Sequence, residues 1–122
     1  MSAKNLSVYQ ESYKLSFAIF KLVKKYPKEL KHTLGKQFFN TSLNLLSKII
    51  RANRLQVKHD AIEDAITEME LLFTYARMSI DFVVISKGEY QVISEKMADI
   101  VSQLNSWSAW DRKKSDSVVV SS

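Results

Sequence analysis

Apolar residues recur at intervals of three and four along most of the chain, the spacing that gathers side chains on one side of an α-helix. In a first segment, from Leu6 to about Tyr26, they are Tyr9, Tyr13, Leu15, Ile19, Leu22, Val23 and Tyr26. Pro27 fixes its own φ and restricts the residue before it, so it ends that helix. A second helix is expected from Thr33, whose hydroxyl is placed to cap the first free amides, to about Asn53. Gly35 falls in its first turn, where a missing side chain costs least or permits close packing. A third helix should run from about Asp60 to Ser86. In Ser86-Lys87-Gly88-Glu89 the glycine reads as a C-cap, followed by the start of a new helix. The fourth carries Tyr90, Ile93, Met97, Ile100, Val101, Leu104 and Trp107 on one face and ends near Arg112-Lys113-Lys114, cations suited to a helix C-terminus.

Two of these helices are more apolar than one core requires. Leu34, Phe38, Phe39, Leu43, Leu45, Leu46, Ile49 and Ile50 cover roughly 200° of helix two, where a bundle helix needs little more than about 100°. Helix three has a core stripe of Ile62, Ala65, Ile66, Met69, Leu72, Phe73, Ala76, Ile80 and Val83. On its other side Leu71, Tyr75, Met78, Phe82 and Ile85 repeat at heptad spacing. A helix that is apolar on both sides is buried on both sides. In a bundle every helix has an outer face, so the second stripe is the expected contact between copies of the chain. The expected architecture is therefore all-α, an antiparallel four-helix bundle over residues 1–114 that self-associates, with a flexible tail over residues 115–122.

Composition narrows the functions open to such a bundle. With 122 residues there is room for one domain; Gly occurs twice, Pro once, and Cys not at all. The missing cysteines exclude disulfides, thiolate metal sites and thiol nucleophiles, and agree with a cytoplasmic location. His32 and His59 have no partners at metal-ligand spacing, and Asp60, Glu63, Asp64 and Glu68 fall on the polar side of helix three, where they favour its N-terminus. There is no Gly-rich phosphate loop and no Ser/His/Asp set. No stretch of about 18 apolar residues would span a membrane. Neither catalysis nor a metal or other cofactor is expected.

Charge changes the picture more. Residues 1–58 hold 12 Lys/Arg against Glu11 and Glu29, a charge of +10; residues 59–122 hold 6 against 11 Asp/Glu, a charge of −5. On the first helix Lys14, Lys21 and Lys25 share a narrow stripe, with Lys24 beside it. On the second, Lys36, Asn40, Ser47, Arg51 and Arg54 lie within about 60°, and Lys58 would extend the row if the helix continued. Cationic stripes are usually solvated outer faces interspersed with carboxylates. Helix two has no carboxylate, which favours phosphate binding over that reading.

The join between the first two helices, Tyr26-Pro27-Lys28-Glu29-Leu30-Lys31-His32-Thr33-Leu34-Gly35-Lys36-Gln37, resembles a signature of one family. It is that of the four-helix-bundle accessory proteins of diversity-generating retroelements, the accessory variability determinant or Avd proteins, relatives of the 23S rRNA intervening-sequence proteins. Leu45-Leu46 through Ile49-Ile50-Arg51-Ala52-Asn53-Arg54, Arg77, the Ile85-Ser86-Lys87-Gly88-Glu89-Tyr90 turn and Leu104-Asn105-Ser106-Trp107 extend the resemblance over roughly Ser7 to Lys113. His32 stands where the family has an aromatic residue, and Asn105-Ser106 where it has small glycines. Leu46-Ser47-Lys48-Ile49-Ile50-Arg51 lacks the Ser-x-Pro-x-Asn-Ile-Ala-Glu-Gly pattern of the ribosomal relatives, which favours the retroelement branch.

The resemblance implies a homopentameric basic barrel that binds RNA or DNA and a reverse transcriptase and supports mutagenic copying of a template RNA into cDNA. The expected nucleic-acid contacts are Lys14, Lys21, Lys24, Lys25, Lys28, Lys31, Lys36, Arg51, Arg54, Lys58 and Arg77. The alternatives are an rRNA- or ribosome-associated bundle and a purely structural oligomer.

Overall fold

The computed structural model describes the backbone of residues 3–121 and the side chains of residues 5–114. Four long helices form an all-α bundle, and among the described residues there is no strand. Helix α1 is Ala3–Lys24. After Pro27, helix α2 begins with an α turn, Lys28–Leu30, passes through a π-helical turn, Lys31–Gly35, and continues as α-helix Lys36–Arg54. Helix α3 is His59–Asp81 and α4 is Lys87–Ser121. Each packs on its neighbour in sequence, and α1 closes on α4.

Contacts at the ends show that the helices alternate in direction. Asn5 at the start of α1 donates to Asn53 near the end of α2 (2.9 Å), and Lys25 just past α1 meets Glu89 in the first turn of α4 (2.6 Å). The core is a continuous apolar cluster that includes Leu15 and Ile19 of α1, Phe38, Leu45 and Ile49 of α2, Ile62, Met69 and Leu72 of α3, and Ile93, Met97, Ile100, Leu104 and Trp107 of α4. Small buried hydroxyls line the α1–α2 seam: Ser16 donates to Ser12 O and Ser42 O. Tyr26 donates to Ser79 Oγ (2.7 Å), joining the end of α1 to α3.

Three boundaries differ from expectation. Helix α2 starts at Lys28 with Pro27 as its N-cap, so Thr33 caps nothing and its hydroxyl bonds back to Glu29 O. Helix α3 stops at Asp81, before Ser86, because Val83 takes φ 59° and turns the chain. Val83 N donates to Ile80 O and Val84 N to Ser79 O, the paired bonds of a Schellman C-cap. Gly88 is therefore not the C-cap. It lies in the first turn of α4, where Ser86 and Glu89 form a capping box: Glu89 N donates to Ser86 Oγ (3.0 Å) and Ser86 N to Glu89 Oε1 (2.9 Å). At the far end the α4 backbone runs helical beyond Lys114 to Ser121, through a stretch without Gly or Pro to stop it.

Gly35 takes the close-packing role. Its conformation is right-handed helical, and a Cβ there would stand 2.6 Å from Val23 Cγ1 and 3.2 Å from Leu30 O. The glycine lets the start of α2 lie directly on the end of α1.

Candidate nucleic-acid interface

Lys36, Asn40, Ser47, Arg51 and Arg54 are all exposed on α2. The helix segment that bears them contains no carboxylate, and among the described residues none of the three cations has an ion-pair partner. Among the described residues the ion pairs lie elsewhere. Lys14 is 3.4 Å from Glu11, Lys25 is 2.6 Å from Glu89, and Arg77 is 3.2 Å from Asp81. The α2 ridge is thus a row of uncompensated positive charge with neutral hydrogen-bonding side chains between.

Lys14, Lys21, Lys24 and Lys25 are exposed on or just past α1, Lys28 is exposed and Lys31 half-buried at the start of α2. Lys21, Lys24 and Lys25 line an open groove of about 830 Å³ between α1 and α4, with Leu22, Val92 and Ile93 supplying apolar wall. Lys25 there holds Glu89. Its hydrogen bond, then the one from Ser86 N, keeps the Glu89 carboxyl below the usual carboxylate range against the opposing effect of partial burial. Arg77 sits apart on α3, its charge met by Asp81 one turn on.

Lys58 does not extend the ridge. Helix α2 ends at Arg54, and the loop carries Lys58 inward to 8 % exposure. Its Nζ donates to Ala52 O (2.8 Å), Asn53 O (3.3 Å) and Leu55 O, and lies 5.8 Å from the Trp107 ring centroid. It thereby satisfies orphan carbonyls at the C-terminus of α2, where the helix dipole favours a cation. Burial lowers its pKa from the ordinary lysine value, Lys114 adds to this and Asp111 opposes it. A lysine so engaged acts as a structural cap, its ammonium turned to backbone carbonyls and away from the exposed row.

The expected self-association stripe is partly reshaped as well. Leu71, Met78 and Phe82 are exposed. Tyr75 is half-buried and packs on Phe38, ring centroids 6.4 Å apart. Ile85 is only 5 % exposed: it follows the Val83 reversal and turns back into the core, so it is no part of an outer stripe. Val83, expected in the core, is 84 % exposed for the same reason. On α2, Leu43 and Ile50 are exposed, in keeping with the surplus apolar width of that helix.

One further surface does not emerge from periodicity. Tyr13, Phe17 and Phe20 on α1 are 61 %, 56 % and 48 % exposed. Their spacing of four and three is a visible signal, but the same spacing marks a core face, and Tyr13, expected in the core, stands outside it.

Among the described residues no group of three His, Asp or Glu could hold a metal ion, and no helix is long and apolar enough to cross a membrane. No curated protein matches the chain. In fold it is similar to a protein of unknown function from the S23 ribosomal protein family of Bacteroides thetaiotaomicron. The TM-score is 0.79 over 87% of this chain and 98% of that one; at 20% identity the likeness shows the fold alone. Sequence carries the relationship further: the family model described as bAvd-like matches residues 6–110, nearly the whole bundle, and the chain belongs to the bAvd-like family.

Proposed function

We propose that this protein is a non-catalytic accessory factor that self-associates, as a pentamer if it follows the family it resembles, and binds nucleic acid together with a retroelement reverse transcriptase during mutagenic cDNA synthesis. The α2 ridge carries the nucleic-acid part of this reading. Among the described residues Lys36, Arg51 and Arg54 are exposed, aligned and without carboxylate partners, and Arg51 and Arg54, one turn apart, repel each other unless an anion lies along them. The polymerase, by contrast, comes from family membership. Phosphate contacts of this kind position a strand and do not read bases.

Replacing Arg51 and Arg54 together by Glu tests the ridge. Affinity for unrelated RNA and DNA should fall alike. The log–log salt dependence should flatten by about 0.7 to 0.9 for each phosphate that is no longer neutralised. Helicity and subunit number should stay unchanged. A folded double variant with wild-type affinity and salt slope would reduce the ridge to solvated surface and point to an acidic protein partner instead. Association with rRNA or the ribosome is the second reading, from the resemblance to the intervening-sequence proteins, and the fold shared with an S23-family protein is compatible with it. Gene context separates the two: a neighbouring reverse transcriptase with a variable repeat favours the first, a position inside an rRNA gene the second.

A further inference from the structure

Tyr13, Phe17 and Phe20 project from the side of α1 away from Leu15 and Ile19, which are fully buried. Lys14, Lys21 and Lys24 stand among them, all exposed. Lys21 Nζ lies 4.6 Å from the Phe17 ring centroid, so this cation and this ring form one unit. Phe20 is steadied by Phe39 of α2, centroids 5.7 Å apart. Hollows open on both sides of the row. One of about 280 Å³ is lined by Tyr13, Lys14, Phe17, Lys21 and Lys96, and one of about 200 Å³ by Tyr13, Phe17, Phe20, Phe39 and Leu43.

We propose that this face of α1 is a stacking platform for the unpaired bases of a single-stranded nucleic acid, with Lys14, Lys21 and Lys24 meeting its phosphates. The proposal rests on the nucleic-acid reading above and adds which form is bound and where. Every base offers a flat face to an aromatic ring, and the cations beside the rings answer the one charge each nucleotide brings. Tyr13 and Phe17 are separated by about 6 Å along the helix axis, more than the roughly 3.4 Å between stacked bases, so successive rings receive splayed bases of an extended strand. A duplex hides its base faces and reaches only the lysines. Charge complementarity favours a polyanion over a second copy of this chain. An apolar contact between copies would have to desolvate the interleaved lysines, whereas Glu11, the one carboxylate of α1, already sits on Lys14.

The test is a Tyr13→Leu/Phe17→Leu variant, which keeps apolar bulk and every lysine but removes two π-faces. Binding to oligouridylate, oligodeoxythymidylate and a duplex of matched length is measured at one salt concentration, with helicity and sedimentation recorded alongside. The single strands should lose on the order of tenfold in affinity or more while the duplex is held as before. Independently, a Phe17→Trp variant should show indole fluorescence quenched by the single strands and unchanged by the duplex. An equal loss for all three probes, undiminished single-strand affinity, or a changed subunit number would each overturn the platform, the last by showing the face to be a contact between copies. Wild-type protein that binds none of the probes would sink the nucleic-acid reading itself, a result distinct from these.

Discussion

Replacing Gly35 by Ala pits two effects of comparable size against each other. The residue is helical, with φ −60° and ψ −43°, so Ala gains about 0.8–1 kcal/mol of helix propensity. Against this, the new methyl stands 2.6 Å from Val23 Cγ1 and 3.2 Å from Leu30 O, with Tyr26 Cδ2 at 3.5 Å. Val23 is buried and β-branched, so χ1 has no cheap alternative, and the carbonyl belongs to the helix backbone. Overpacking of this kind costs about 1–3 kcal/mol. With a backbone atom and a stiff side chain both in the way, the upper part of that range applies, and Gly35→Ala should destabilise by about 1–2 kcal/mol. Thermal unfolding followed by circular dichroism at fixed protein concentration should show Tm lowered by roughly 4 °C per kcal/mol. In a Val23→Ala background the same change should be near neutral, since the clashing methyl is gone. An unchanged or higher Tm in the wild-type background would refute the steric reasoning and leave propensity in control.

Val83→Gly should stabilise by about 0.5–1 kcal/mol, because an exposed β-branched residue occupies the left-handed region at a cost of about 1–2 kcal/mol, which glycine avoids, partly offset by a freer unfolded chain; chemical denaturation reads this directly. Lys58→Met should lower stability by about 2 kcal/mol in urea, as three carbonyls lose a charged donor, yet leave the nucleic-acid affinity of the folded protein unaltered. Weakened binding there would return Lys58 to the phosphate contacts. Met78→Glu with Phe82→Glu should dissociate any assembly built on the α3 stripe by bringing like charges into a desolvated contact, and sedimentation showing the wild-type particle would remove α3 from that role.

The helices and the core are legible in the sequence because burial repeats with the helical period: Leu15, Phe38, Met69 and Ile100 fall where periodicity puts them. What escapes it depends on where the chain leaves a helix. A wheel carried past Asp81 places Ile85 outside and Val83 inside, and one carried past Arg54 places Lys58 on the ridge. The backbone ends both helices earlier and reverses all three assignments. The two glycines are easy to see and hard to rank, since their roles turn on which neighbours approach: Val23 crowds Gly35, while nothing closer than Ser86 Oγ at 3.9 Å faces Gly88. The aromatic face of α1 stays hidden because Tyr and Phe at helical spacing look the same whether they point into a core or away from it, and burial alone tells the two apart.

The π turn at Lys31–Gly35 holds one residue more than an α turn would. It therefore offsets the angular phase of Lys36–Arg54 from that of Lys28 and Lys31 by about the 100° that one residue contributes. Because Phe38, Leu45 and Ile49 hold Lys36–Arg54 in the core, removing a single residue there, with every cation retained, would swing Lys28 and Lys31 about the helix axis relative to the Lys36/Arg51/Arg54 row. How the cations at the start of α2 line up with the ridge is thus written in the length of this turn as much as in the identity of the charges, and insertions or deletions between Pro27 and Lys36 are where related chains can reset that alignment.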